Sequence, residues 1–408
     1  MTNIDYTEKM KKLGPVPEDM RIFWIRDDLA RIEAKTPYCL QCIKEGREIL
    51  AALDDMAQII GPRVPIVLDD DMEIAKALTT TAAVLVDAEQ TSGDNVLPVS
   101  GTSMDGKVRR DQDYVITTGR DPYEAFVALT VLEKAAEVQI KADALGGIKP
   151  IPERAASKLR RKYLNKYSKP GMERRETEFD IEKEVSESIA AVSETLVEEF
   201  RQRGELVEYG KKLIEKNLVQ GTWGNMSVRV GDKLMLVTPS GLDYDSLSPG
   251  DMVLVNIETG EYEKSGNLPT TESLIHAEIY KNRPDIATII HTHSRYCSIF
   301  AACQMPVDVP DTYLGEEIRD DVIHVADYAE SGSRELAENV VKALGEYREI
   351  LGGRRGCIMS NHGMIACGVL PEDTLEVALA MEEAARQQIN ARLLKLAEKK
   401  IKDKEDES

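Results

Sequence analysis

The sequence carries fewer positive than negative charges, and this imbalance excludes some classes of partner. Lys and Arg number 52 against 72 Asp and Glu, a net charge of −20, and such a surface repels phosphate backbones and anionic lipid heads. We therefore expect no nucleic-acid partner and no membrane partner. The 42% apolar and 30% charged content is that of an ordinary globular protein, which argues against global disorder.

Long hydrophobic runs are also missing. No stretch approaches the roughly 18 apolar residues of a membrane span, and residues 1–19 contain no apolar signal segment. We expect a cytoplasmic protein. The 6 cysteines show no repeating spacing that would indicate a disulfide framework. Cys39 and Cys42 form a lone CxxC pair without a second pair or a neighbouring histidine, so an inert structural role is favoured over a zinc or redox site.

A length of 408 residues predicts two or three domains. Residues 1–150 look like a mixed α/β domain of unknown function. Its predicted elements are two helices within 17–61, strands at 63–68 and 113–118, and a long helix from Asp121 to Leu145 that Gly146 and Gly147 end. Residues 82–86 fit either a helix or a strand.

Residues 151–178 are rich in Lys and Arg, with interspersed prolines, and are predicted to be a linker rather than an anion-binding arm. A second domain is predicted over 179–398, with a final helix from Pro371. Residues 399–408 are predicted to form a charged tail that frays into solvent.

One glycine-rich segment, Gly101 to Val108, resembles a phosphate-binding P-loop. It is one residue short, and Val108 stands where a Ser or Thr would hold magnesium. A predicted strand follows instead of the helix that the motif requires. A turn is therefore the better interpretation.

All five histidines lie in the last third of the chain, which points to that region for chemistry. His291 and His293 follow an apolar run, and residues two apart in a strand project from the same face. His362 lies between two apolar segments that suggest the turn of a strand pair. Three neutral imidazoles leave the fourth position of a tetrahedral zinc open, which is the catalytic arrangement. Alone, however, the HxH pair is more often two hydrogen-bonded strand histidines.

Three turns in the same region combine glycine with short hydroxyl and amide side chains. They are GTWGNMS from Gly221, TPSG from Thr238, and PTTE from Pro269, which ends at Glu272. Backbone N–H groups in such turns approach anions closely. Each one alone is more often only a turn.

The order GTWGNMS, TPSG, PTTE, HTH, YAESGSREL and NHGMIACG, over residues 184–392, resembles the class II aldolase/adducin family, most closely its L-fuculose-1-phosphate aldolase branch. The resemblance implies a three-layer α/β/α sandwich around a mixed, largely antiparallel sheet, preceded here by the smaller α/β domain. It also implies a homotetramer with active sites between subunits. The implied activity is a zinc-dependent lyase that cleaves a ketose 1-phosphate into dihydroxyacetone phosphate and an aldehyde.

The resemblance assigns roles residue by residue. His291, His293 and His362 match the family's zinc ligands, Glu272 matches its catalytic acid/base, and Tyr313 falls where its aldolases place a tyrosine serving the neighbouring subunit's site. The residues that match the phosphate cradle are Gly224, Asn225, Ser240, Gly241, Thr270 and Thr271. His276, four residues after Glu272, is either a partner behind the site or a core histidine. His324 is interpreted as structural.

Other family functions stay open. Sugar-phosphate 4-epimerases of the family carry aspartate where Glu272 stands, which favours carbon–carbon cleavage here. A methylthioribulose-1-phosphate dehydratase would use the same zinc and glutamate. Adducin-like scaffolds have lost the metal ligands, which this sequence keeps.

Overall fold

The computed structural model describes residues 6–27, 29–64, 66–67, 82–85, 101–102, 108–109, 114–166, 189–263, 266–309, 322–345 and 354–406. The chain divides into two compact units, Met1–Met172 and Glu173–Ser408. Within the described residues, no helix is both long and apolar enough to span a membrane.

The first unit is a mixed α/β domain. Its helices are α1 (Tyr6–Lys11), α2 (Pro37–Lys44), α3 (Asp54–Ile60), α4 (Pro122–Ala142) and α5 (Glu153–Lys166), with a 3₁₀ turn at Asp143–Leu145. Its strands are β1 (Arg21–Arg26), β2 (Leu29–Ala34), β3 (Ile66–Val67), β4 (Ala82–Leu85), β5 (Gly101–Thr102), β6 (Val108–Arg109) and β7 (Tyr114–Gly119). One sheet has the order β1-β2-β7-β4-β3, and β5 pairs with β6.

The prediction of two helices within residues 17–61 is wrong for the first helix. Strands β1 and β2 form an antiparallel hairpin in that segment. Ala30, Ile32 and Ala34 share one face of β2 and are fully buried, while Glu33 between them is buried in an ion pair with Arg31. The second predicted helix is broken into α2 and α3, because Gly46 adopts a left-handed φ of 68° between them.

The other predicted elements of this unit form, with the predicted strand at 63–68 reduced to β3 at Ile66–Val67. The uncertain segment 82–86 contains strand β4. Helix α4 begins as predicted: Pro122 is its first residue, and the Asp121 carboxylate accepts a hydrogen bond from the Glu124 backbone N–H at 2.8 Å. It ends before Gly146, whose φ is 94°.

The segment predicted as a basic linker contains helix α5, which packs against α3. Ala156 and Leu159 are buried, and Arg160 donates to the backbone carbonyl of Gln58 at 2.8 Å. The many Lys and Arg residues indicated a solvated linker. A helix with one apolar face can carry the same residues on its exposed faces, so their number does not distinguish a linker from a helix. Residues 167–188 lie outside the described part of the chain.

The second unit is built on one large sheet. Its helices are α6 (Ile189–Glu215), α7 (Ser273–Asn282), α8 (Arg295–Cys303), α9 (Arg334–Leu344) and α10 (Pro371–Asp406), with 3₁₀ turns at Tyr244–Ser246 and Pro249–Asp251. Its strands are β8 (Gly224–Val230), β9 (Leu234–Val237), β10 (Val253–Asn256), β11 (Thr288–Thr292), β12 (Val307–Asp308), β13 (Val322–Ala326), β14 (Arg355–Met359) and β15 (Gly363–Gly368).

The sheet order is β10-β9-β8-β11-β15-β14-β13-β12. Only the β13–β14 pair is parallel among these described strands, so the sheet is mixed and largely antiparallel. Helices α7 and α9 cover one face, where Ile275 and Leu336 join Val237 in the core. Helix α10 covers the opposite face, where Gly356 lies against Met381. The predicted three-layer α/β/α sandwich is confirmed.

The charged C-terminal segment was predicted to fray, but α10 continues through Asp406. Residues 395–403 are exposed, and residues 371–406 contain no glycine or proline after Pro371 that would end the helix. Straight-chain Lys and Glu residues are good helix formers. Charge at this end therefore does not exclude helix.

Candidate functional site

Three histidines meet at one end of the central strands. His291 lies near the end of β11, and His293 follows that strand. His362 lies in the tight turn between β14 and β15, where its backbone N–H donates to the Met359 carbonyl at 3.1 Å. Because β11 pairs with β15, the turn brings His362 beside the other two rings.

The three rings are close enough to share one ion. Their centroids are 4.8 to 5.1 Å apart, and one nitrogen from each lies within 4.8 Å of the others. The Nε2 atoms of His291 and His293 are 2.9 Å apart. His291 and His362 are buried and His293 is half-buried.

The tautomer of His291 is fixed by the backbone. Its Nδ1 is 2.8 Å from the carbonyl oxygen of Met364, and a carbonyl only accepts, so Nδ1 carries the proton and Nε2 keeps its lone pair. Burial lowers the pKa of His291 to about 3, with Glu272 opposing the shift and the other two rings adding to it. The ring is therefore neutral at pH 7, as a metal ligand must be.

Glu272 closes the open side of this histidine cluster. It precedes α7 at the N-cap position and is 6% exposed. Its Oε1 lies 2.6 Å from Nε2 of His362, and its Oε2 lies 3.2 Å from Nε2 of His291. Burial alone would raise the pKa of Glu272, but the two imidazoles and the amide of Asn225 together hold it well below its usual value.

Asn225 and His276 lie behind Glu272. Asn225 is paired with His291 across β8 and β11, and its Nδ2 donates to Oε2 of Glu272 at 2.7 Å. His276, in the first turn of α7, bonds to Asn225 through Nε2 and to Ser227 through Nδ1, both at 2.6 Å. Burial lowers the pKa of His276 to about 4, partly offset by Glu272.

Two of the three turns predicted to hold phosphate lie side by side. Pro239 and Pro269 form an antiparallel bridge, the Ser240 N–H donates to the Leu268 carbonyl, and the Thr270 N–H donates to the Thr238 carbonyl. Gly241 has a left-handed φ of 78° and is exposed, so its backbone is accessible to an anion. Two of the three predicted turns therefore form one surface that leads to Glu272.

Two glycines permit the close approach of the strands at the histidines. A Cβ on Gly224, where φ is 121°, would lie 2.7 Å from the His291 carbonyl oxygen. A Cβ on Gly363 would lie 2.4 Å from the Thr292 carbonyl oxygen and 3.1 Å from the His291 ring. Any larger residue would push β8 or β15 away from β11.

Sequence reasoning did not identify one side chain that contacts Glu272. The Ser331 hydroxyl donates to Oε1 of Glu272 at 3.3 Å. The motif YAESGSREL contains Ser331, but the order of the motifs alone assigned it no role.

Tyr313 lies in 310–321, outside the described residues. His324 is exposed on β13. Cys39 and Cys42 are buried free thiols, and burial raises the pKa of both, which fits inert packing.

The donor set fits a divalent metal ion. Three imidazoles with a carboxylate beside them suit zinc and related ions, and the Met364 carbonyl behind His291 is the kind of outer partner that orients a ligating histidine. A buried carboxylate next to such an ion suits proton transfer.

The stretch of chain that contains this site is similar to a known family. Residues 204–389 match the profile of the Class II Aldolase and Adducin N-terminal domain. The 5-methylthioribulose-1-phosphate/5-deoxyribulose-1-phosphate aldolase of Rhodospirillum rubrum is 33% identical over 196 residues, 48% of this chain and 83% of that protein. The L-fuculose phosphate aldolase of Escherichia coli O157:H7 is 32% identical over 182 residues, 45% and 80% of the two chains.

A solved structure of an L-fuculose 1-phosphate aldolase is 33% identical and covers 47% of this chain and 86% of its own, with a TM-score of 0.43.

Proposed function

Since the chain belongs to the class II aldolase/adducin family, we propose that it is a metal-dependent lyase that cleaves a ketose 1-phosphate into dihydroxyacetone phosphate and an aldehyde. The two relatives described above are named for three such substrates: L-fuculose, 5-deoxyribulose and 5-methylthioribulose phosphates. All three share the phosphorylated end and differ in the aldehyde they release. We therefore propose a class of substrate, a ketose 1-phosphate, and not one particular aldehyde product.

One observation carries the proposal. The Glu272 carboxylate is buried at the open side of the histidine cluster, 2.6 Å from His362 and 3.2 Å from His291. A glutamate in this position favours the lyase over the epimerases of the family, which resemble this chain but carry aspartate there. The three histidines lie close enough to bind one ion. This argues against an adducin-like scaffold that has lost its metal ligands.

Glu272 would move the proton at carbon. In cleavage, the C3–C4 bond breaks, the C4 hydroxyl loses its proton as the aldehyde forms, and the electron pair passes to an enediolate that is protonated at C3. In condensation, the same carboxylate, in its ionised form, takes that proton from dihydroxyacetone phosphate. Tyr313, assigned by the resemblance alone, would exchange the proton on the aldehyde-side oxygen.

The remaining residues would hold the substrate and the metal. Ser240, Gly241, Thr270 and Thr271 would bind the phosphate through hydroxyl and backbone N–H groups, together with Gly224 and the second amide hydrogen of Asn225. Holding the non-reacting end orients the reacting carbon. His291, His293 and His362 would hold the metal ion, which, when bound, acts as a Lewis acid that stabilises developing negative charge on oxygen.

The proposal is tested by incubating the full-length protein and zinc with each of the three phosphates and measuring dihydroxyacetone phosphate with a coupled NADH assay. We expect release from at least one, and a fall in kcat of roughly 10²- to 10⁴-fold in Glu272→Gln with metal content unchanged. Glu278→Gln is the matched control, because Glu278 lies on α7, the helix that Glu272 precedes, and contacts Lys281 and Arg334.

Other products would identify other functions. Loss of water from the methylthioribulose phosphate without dihydroxyacetone phosphate would indicate the dehydratase, and conversion of ribulose 5-phosphate to its epimer would indicate the epimerase. A protein that binds no metal and turns over none of these compounds would be a scaffold.

Three finer features are also proposed from the resemblance: zinc as the ion, a homotetramer with active sites between subunits, and a cytoplasmic location. The domain boundaries at 150, 178 and 398 remain predictions.

A further inference from the structure

A line of buried polar side chains leads from Glu272 into the core. Asn225 donates to Glu272 at 2.7 Å, His276 bonds to Asn225 at 2.6 Å, and Ser227 bonds to His276 at 2.6 Å. Asn225 is 5% exposed, and His276 and Ser227 are fully buried. Solvent therefore cannot replace any of these bonds.

The direction of every bond in this line follows from the carboxylate. Glu272 only accepts, so the Nδ2 of Asn225 faces it and the Oδ1 faces His276. An amide oxygen only accepts, so the Nε2 of His276 carries the proton. The neutral ring then has its lone pair on Nδ1, and the Ser227 hydroxyl donates to it.

We propose that His276 is a positioning residue of the site: its Nε2–H fixes the amide of Asn225 so that Nδ2 faces Oε2 of Glu272. This inference rests on the lyase function proposed above. With the amide held, one carboxylate oxygen is fixed and the other faces His362. With the amide turned by 180°, its oxygen would oppose the carboxylate, which would rotate away from its place beside the histidines.

The competing interpretation is that His276 only fills the core with satisfied hydrogen bonds. In that case the effect of a substitution would follow lost stability and would not depend on which ring nitrogen the new side chain mimics. In the positioning role, only the bond from Nε2 to Asn225 controls turnover. The two interpretations therefore differ for substitutions of matched size.

His276→Gln and His276→Asn separate them. The terminal amide of Gln reaches the position of Nε2 and can donate to Asn225, whereas that of Asn reaches only the position of Nδ1. With the phosphate that the wild type cleaves, we expect His276→Asn to lose about 100-fold in kcat, as for a misplaced catalytic group. His276→Gln should stay within roughly tenfold of wild type, with KM and metal content unchanged in both.

Equal loss of kcat in the two variants, or a loss that tracks the melting temperature alone, would overturn the proposal. His324→Gln is the control for histidine replacement, because His324 is exposed.

A second readout does not depend on turnover. The ¹⁵N spectrum of the full-length protein, with the His276 signals assigned by their loss in His276→Gln, should show a neutral ring protonated at Nε2 at pH 7. A ring protonated at Nδ1, or at both nitrogens, would overturn the proposed direction of the bonds. If the wild type cleaves none of the three phosphates, the lyase function fails, while the spectrum still decides how Asn225 is held.

Discussion

His291 donates from Nδ1 to the backbone carbonyl of Met364 at 2.8 Å. The bond crosses from β11 to β15, the two strands that bring His291 and His362 together. It fixes the ring orientation and leaves Nε2 facing the other two histidines, 2.9 Å from that of His293. The sheet pairing therefore both brings the histidines together and sets the protonation that metal binding would require.

Removing one imidazole should weaken metal binding more than removing an outer partner does. We expect His362→Ala to raise the zinc dissociation constant by at least about 100-fold, the upper end of the cost for an outer partner. His324→Ala, an exposed histidine of the same unit, should bind zinc like the wild type. Titration with a competing chelator measures both; equal affinity in His362→Ala would show that His362 is not a ligand.

The close contact at Gly363 predicts that a substitution outside the histidines also weakens zinc binding. Its added Cβ in Gly363→Ala would lie 2.4 Å from the Thr292 backbone oxygen, so β15 must shift and carry His362 with it. We expect weaker zinc binding, by roughly 10-fold or more, and a lower melting temperature.

Gly204→Ala is the control for Gly363→Ala. Gly204 lies inside α6, and a Cβ there meets no atom within 4 Å. This substitution should stabilise the protein by about 0.5–1 kcal/mol. Wild-type zinc affinity in Gly363→Ala would contradict the steric argument.

His276 predicts how stability depends on pH. Its pKa is about 4 in the folded protein, below the value of about 6.5 for an exposed histidine, so the unfolded chain binds its proton first. This contribution to stability is complete above pH 6.5 and is lost as the pH falls toward 4, by about 3 kcal/mol in all. Denaturant unfolding at several pH values should show a smaller acid loss in His276→Gln; an identical loss would assign it to other groups.

The first unit contains a buried ion pair between Lys134 and Asp55 at 3.1 Å, with the Asp55 side chain 1% exposed. Replacing Lys134 with Met leaves the carboxylate buried without this cation, which should cost about 3 kcal/mol. Lys11→Met breaks an exposed pair with Glu8 and should cost less than about 1 kcal/mol.

Fluorescence can follow the two lysine variants in this unit alone. The sequence has 2 tryptophans, of which Trp24 lies in the first unit and Trp223 in the second. A Trp223→Phe background therefore leaves Trp24 as the reporter. Equal midpoints for the Lys134 and Lys11 variants would show that the buried pair does not stabilise the unit.

Features that depend on only a few neighbouring residues could be predicted from the sequence. The spacing of His291 and His293 indicated that the two rings lie close together, as they do, although β11 ends at Thr292. Asp121 with Pro122 indicated the start of α4. The hairpin at Arg21–Ala34 was misread because its apolar residues, Ile22, Phe23, Trp24 and Ile25, are contiguous in β1, and such a run has no clear period.

Contacts between residues far apart in the sequence could not be predicted. The bond from Asn225 to Glu272 joins residues 47 positions apart, and it exists because β8 and β11 pair in the register that sets Asn225 opposite His291. A shift of one residue would turn Asn225 to the other face. The approach of Ser331 to Glu272 depends in the same way on the tertiary fold.

The central claim is that His291, His293 and His362 hold one catalytic metal ion beside Glu272. The most direct test strips the full-length protein with chelator, returns zinc in steps, and measures bound zinc and release of dihydroxyacetone phosphate on the same samples. We expect activity to rise in proportion to bound zinc and to saturate at about one ion per chain, because the three histidines together form one zinc site. Full activity in the stripped protein, or saturation without turnover of any of the three phosphates, would contradict it.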